Sequence, residues 1–135
     1  ENMDGEDDAI LIGHSSGAVA ILRYLENHKI FGAVIVGACH TDLGIEEEKL
    51  SGYFDDEWNW DRIKQNAGWI VQFASRNDPW IPIDEARFIA SMLDSEYHEF
   101  ADQGHMGSDV GKVEFPEIIE AIKNRLNGRE KYGKK

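Results

Sequence analysis

Residues 9–25 read AILIGHSSGAVAILRYL, and the order of elements in them sets the architecture. Ala9–Gly13 is an uninterrupted apolar run, the pattern of a strand buried on both faces. From Ser16 to about Asn27 the apolar residues Val19, Ile21, Leu22 and Leu25 recur at helical spacing. Between strand and helix lies Gly13-His14-Ser15-Ser16-Gly17, a G-x-S-x-G turn. Such a turn is tight, so glycine is expected two residues either side of the serine, and its strain points the serine hydroxyl out of the sheet. The N–H of Ser16 then opens the helix, where it can hold an oxyanion.

The rest of the chain repeats the alternation. Ile30–Ala38 and Trp69–Ala74 read as two more buried strands, and Glu96–Phe100 as a less apolar strand at an edge. Helices are expected at Glu46–Leu50, from Glu57 to Asn66, at Asp84–Leu93 entered through Pro79 and Pro82, and at Phe115–Leu126. The last carries the stripe Phe115, Ile118, Ile119, Ile122 and Leu126, with Pro116 in its first turn. Strands alternating with helices imply parallel pairing through right-handed crossovers. The expectation is an α/β fold, a three-layer α/β/α stack with a mostly parallel sheet, as one domain over residues 1–128. Residues 129–135 are expected to be a basic flexible tail. In such sheets chemistry gathers beyond the carboxyl ends of the strands. The loops after Gly13, Ala38, Ala74 and Phe100 should therefore share one face.

That face collects a set of reactive side chains. A serine hydroxyl is a weak nucleophile without a base. The loop after the third strand carries Arg76-Asn77-Asp78-Pro79, and the loop after the fourth carries Asp102-Gln103-Gly104-His105. The chain order Ser15, Asp78, His105 is that of the α/β-hydrolase triad. In these roles His105 takes the proton of Ser15 and returns it to the leaving group, while Asp78 fixes the imidazole tautomer. Asp102 is the competing acid, although it sits only three residues from His105 in the same loop. His14, Trp58, Trp60 and Trp80 are expected to line the substrate pocket, with Tyr53 and Phe54 completing an aromatic cap. Cys39, the one cysteine, reads as a small buried hydrophobe. His28, His40 and His98 show no metal-ligand spacing with a carboxylate, and neither a G-x-G-x-x-G nor a P-loop is present. No metal or cofactor is expected.

Composition narrows the partners. The 135 residues suit one domain. Lys and Arg number 14 against 26 Asp and Glu, a net charge of −12, which repels nucleic acid and anionic membranes. The acidic runs at Glu46–Glu48 and Asp55–Glu57 read as solvated faces. A single cysteine excludes an internal disulfide and fits a reducing compartment. No apolar run is long enough for a membrane span, and no signal-peptide pattern is visible. A cytoplasmic location, with the nucleus also compatible, is the expectation.

Beyond these residue-level readings, the sequence resembles the retinoblastoma-binding-protein-9-like small serine hydrolases of the α/β-hydrolase superfamily. The resemblance rests on ILIGHSSGAVAILRY at Ile10–Tyr24, TDLG at Thr41–Gly44, SGYF at Ser51–Phe54, WNWDRIK at Trp58–Lys64, WIVQFASRNDPWIP at Trp69–Pro82 and GH at Gly104–His105. It implies a serine hydrolase, esterase-like or aminopeptidase-like. Such an enzyme cleaves a small ester, thioester or amide through an acyl-enzyme on Ser15, with Asp78 as acid, His105 as base and no cofactor. Family members carry further strands and a helix before the nucleophile strand, and almost all of that is absent here. The second oxyanion donor usually comes from that part. The nucleophile strand is therefore expected to present an open sheet edge. This leaves room for self-association, for pairing with an absent N-terminal segment, and for an alternative function as a catalytically impaired interaction module. The family's L-x-C-x-E motif is replaced here by Met3-Asp4-Gly5-Glu6-Asp7, so a retinoblastoma-type partner is not carried over.

Overall fold

A computed structural model describes residues 8–106 and 116–133 of the chain. Its centre is two strands, β2 (Gly32–Val36) and β3 (Ile70–Ser75), in which every residue is buried. They are flanked by β1 (Ile10–His14) and β4 (Glu96–Phe100), giving a parallel sheet of order β1-β2-β3-β4 among the described residues. Ile35 and Val36 face Gln72 and Phe73 across the β2–β3 register. Burial on both faces explains why these strands read as continuous apolar runs rather than alternating ones.

The helices are α1 (Ser16–Leu25), α2 (Glu46–Leu50), α3 (Trp60–Asn66), α4 (Ile83–Leu93) and α5 (Pro116–Gly133). Ala18, Ile21, Leu22 and Leu25 of α1, Ile63 of α3, and Ile89 and Leu93 of α4 pack on one face of the sheet, against Ala33 and Ile35. Ala121, Ile118 and Ile122 of α5 cover the other face, over Val34, Val36, Val71 and Phe73. The stack is therefore α/β/α, as the alternation implied. Burying a side chain such as Leu22 or Leu25 stabilises the fold by about 1.5–3 kcal/mol each. Gln72 is the polar exception inside β3. Its amide donates to the Ala86 carbonyl and accepts from the Ser95 hydroxyl, so the buried side chain is satisfied.

Several expectations need correction. β1 is not buried on both faces: Ile12 is 53% exposed. The α5 layer covers β2 and β3, and β1 lies outside it at the sheet edge. Helix α3 starts at Trp60 rather than Glu57, because the Asn59 side chain accepts from the Arg62 N–H and caps the helix there. In α5, Ile119 and Leu126 are exposed, while Ile118, Ala121 and Ile122 pack on the sheet. Phe115 lies outside the described residues. The α5 backbone continues to Gly133, into the segment expected as a tail.

Candidate active site

All strands run the same way, so their carboxyl ends and following loops gather at one end of the sheet. Backbone bonds stitch that end together: Ser15 N–H to the Val36 carbonyl (2.8 Å), Gly37 N–H to Phe73 (3.0 Å) and Arg76 N–H to Phe100 (2.8 Å). Ser15 stands between β1 and α1 at φ 60° and ψ −118°. This left-handed backbone costs a non-glycine residue about 1–3 kcal/mol. The surroundings enforce it. The Ser15 carbonyl accepts the first helical bonds, from Ala18 N–H (3.0 Å) and Val19 N–H (3.2 Å). Gly13 is required, because a Cβ there would lie 2.6 Å from the Gly17 backbone. Gly17 is not required in the same way: a Cβ there would meet nothing within 4 Å. The crowding expected on both sides of the serine exists on one. Ser16 is the first residue of α1, where N–H groups have no intrahelical partner.

The loops after β3 and β4 are bound to each other. His105 Nδ1 lies 2.7 Å from Asp78 Oδ2. Asp78 Oδ1 accepts from the N–H groups of Trp80 (2.9 Å) and Ile81 (3.0 Å). Burial works against the Asp78 charge, but the His105 hydrogen bond and these two backbone donors outweigh it, holding the carboxyl below its usual range. Asp102 is exposed. Beneath the pair, the buried Ser75 hydroxyl donates to Asn77 Oδ1 (2.9 Å) and accepts from Gln103 N–H (2.8 Å), while Asn77 Oδ1 also accepts from Gly104 N–H (2.7 Å). Gly37 clears the space for the imidazole, since a Cβ there would approach His105 Cε1 to 3.2 Å.

Ser15 and His105 line one cavity of about 230 Å³, together with Ser16, Val19, Cys39, Leu43, Ile45, Glu48, Trp80 and Ile81. Of the aromatic residues expected there, only Trp80 lines it, with its ring edge-on to His105 at 5.0 Å. Trp58 and Trp60 stack on each other at 5.3 Å outside the cavity. Arg23 lies over the Trp58 ring at 3.6 Å and donates to the carbonyls of Tyr53, Asp56 and Glu57, pinning that loop to α1. Tyr53 and Phe54 pack against the cluster of Val19, Cys39 and Ile81, behind the cavity wall. His14 does not line the cavity either; its Nε2 bonds the His105 carbonyl at 2.6 Å. Cys39 is buried as expected, and it also forms part of the wall. The sequence reading missed Leu43, Ile45, Glu48 and the Ser75–Asn77 clasp. The one available signal was the Asp42-Leu43-Gly44 turn, in which Asp42 Oδ1 accepts from Gly44 N–H and both Leu43 and Gly44 have positive φ. Among the described residues no cluster of three or more His, Cys, Asp or Glu side chains is placed to hold a metal.

A strand-to-helix serine strained at its elbow, sharing a cavity with a carboxylate-bound histidine on a parallel sheet, is the arrangement of a serine hydrolase fold. The family model for serine hydrolases matches residues 1–124, and the chain belongs to that family. Among curated proteins it is 41% identical over 121 residues to the serine hydrolase RBBP9 of Rattus norvegicus, covering 90% of this chain and 63% of that one. It is 26% identical over 123 residues to the putative hydrolase YdeN of Bacillus subtilis, covering 86% and 63%. The crystal structure of the ydeN gene product superposes with a TM-score of 0.81 at 22% identity, over 90% of this chain and 67% of that one, which shows the shared fold. The chain thus spans 63% of the length of the curated relatives it matches.

Proposed function

We propose that this protein is a serine hydrolase that cleaves a small ester, thioester or amide through an acyl-enzyme. Ser15 Oγ attacks the carbonyl carbon as His105 Nε2 removes its proton. Asp78 holds the Nδ1 proton and stabilises the imidazolium, and the Ser16 N–H donates to the oxyanion. His105 then protonates the leaving group, and water repeats the sequence in reverse to release the acid. No cofactor enters the scheme. One observation carries the reading: strained Ser15 and Asp78-bound His105 face the same cavity. The relatives' descriptions as hydrolases support it. Among the described residues no helix is long and apolar enough to cross a membrane. The cytoplasmic or nuclear location is a proposal that draws on the single cysteine, which suits a reducing compartment.

The test is labelling with a fluorophosphonate probe. Wild-type protein should label, and Ser15→Ala should not. A folded, monodisperse chain that resists labelling refutes the enzyme reading for this chain alone. A second reading, an interaction module on a hydrolase fold, draws on the exposed Ile12 of edge strand β1. It gains if labelling fails, unless a peptide covering the N-terminal segment of a longer relative restores it. Restoration would instead identify that segment as the partner of the β1 edge.

A further inference from the structure

The cavity holding Ser15 and His105 is not uniformly apolar. Val19, Cys39, Leu43, Ile45 and Ile81 supply greasy walls, and α2 adds one carboxylate, Glu48. Glu48 is half-buried, whereas its helix neighbours Glu46 and Glu47 are exposed. None of the ion pairs among the described residues includes Glu48. The other carboxylates near the cavity are occupied. Asp78 is bound to His105, Trp80 and Ile81, and Glu85 accepts from the N–H groups of His40 and Thr41 and from the Thr41 hydroxyl. The field they produce is negative. The Cys39 thiol in the wall is pushed up to about 12, first by burial and then by Glu85, Glu48 and Asp78.

These features set a requirement on whatever fills the space. A neutral chain would take water from Glu48 and return no partner, and stripping a carboxylate of its hydrogen bonds is unfavourable. An anionic chain would add repulsion. A chain ending in an ammonium gives Glu48 a donor while its methylene groups cover Val19, Leu43 and Ile45. We propose that Glu48 is a specificity-determining residue, selecting carbonyl substrates that carry an ammonium group at the end of a short apolar chain. The proposal rests on the hydrolase reading above for its carbonyl, but its cation preference can be measured without turnover.

The experiment is calorimetric titration of the full chain with n-hexylammonium, 1-hexanol and hexanoate, in wild type, Glu48→Gln and Glu48→Asp. Hexylammonium should bind wild type roughly five- to tenfold more tightly than hexanol, with hexanoate weakest. Glu48→Gln should bring the hexylammonium-to-hexanol ratio close to one, and Glu48→Asp should restore part of it. In turnover, the kcat/KM ratio of 4-methylumbelliferyl 6-aminohexanoate to its isostere 4-methylumbelliferyl heptanoate should fall by the same factor in Glu48→Gln, through KM. Three results each overturn the proposal: no binding of hexylammonium, equal affinity for hexylammonium and hexanol in wild type, or a preference that survives Glu48→Gln. Failure of Ser15 to label with a fluorophosphonate would strike the hydrolase reading and leave the binding preference to be judged by itself.

Discussion

Asp78→Asn exchanges one carboxylate oxygen for an amide and leaves the side-chain volume nearly unchanged. The Oδ1 position keeps its bonds from Trp80 N–H (2.9 Å) and Ile81 N–H (3.0 Å), so the loop should hold its shape. What changes is the group 2.7 Å from His105 Nδ1, which turns from acceptor to donor. Nδ1 must then accept, and the imidazole proton moves to Nε2, the nitrogen that has to be bare to receive the Ser15 proton. The stability loss is that of one charge-assisted hydrogen bond made neutral, about 1 kcal/mol. The rate loss is far larger, about 10⁴ in kcat. At 1.36 kcal/mol per decade that is about 5.4 kcal/mol of lost transition-state stabilisation. The assay is hydrolysis of a 4-methylumbelliferyl ester alongside urea denaturation of the same samples. A folded Asp78→Asn protein that keeps more than roughly a tenth of wild-type turnover would show that Asp78 does not set the His105 tautomer. So would an Asp102→Asn variant that loses activity while Asp78→Asn does not.

Two further predictions concern stability. Gly13→Ala should destabilise the fold by about 1–3 kcal/mol, because its Cβ meets backbone 2.6 Å away. Gly17→Ala, in open space within α1, should be neutral or stabilising by up to about 1 kcal/mol; the denaturant midpoint should fall in Gly13→Ala and not fall in Gly17→Ala. Glu99 is held down to about 2 from an ordinary 4.5, first by its hydrogen bonds from Arg87 and Tyr97. Its folded value lies below its unfolded one, so its stabilisation is complete above pH 4.5 and disappears as pH falls towards 2. The gap in unfolding free energy between wild type and Glu99→Gln should therefore close over that window. A gap that persists at pH 2 would show that the carboxylate charge is not its source.

The positions of Ser15, Asp78 and His105 were legible because each follows a strand end; apolar runs mark the first two, and the alternation of elements marks the third, after the less apolar β4. The cavity was not. Its walls come from the elbow and α1, the loop after β2, α2 and the loops after β3 and β4, and no sequence spacing links Val19 to Ile45 or Ile81. Trp58 and Trp60 misled for a related reason. A pair of aromatics two residues apart, one in a loop and one opening α3, gives no indication of which neighbour they cover, and here Arg23 fixes Trp58 against α1. The exposure of Ile12 was hidden because an apolar run does not reveal whether a helix layer extends far enough to cover it.

Among the bonds that moor His105 are its ring on Asp78, the preceding Gly104 N–H on Asn77, and its carbonyl on His14. The first two moorings belong to the β3 loop, and the third belongs to the residue adjoining Ser15. Ser15 and the histidine are thus linked by this side-chain bond in addition to the backbone bonds between neighbouring strand ends. Loosening that bond at His14 would remove one of the contacts that align the pair with the hydroxyl, a loss of alignment distinct from any change in the Asp78–His105 bond itself.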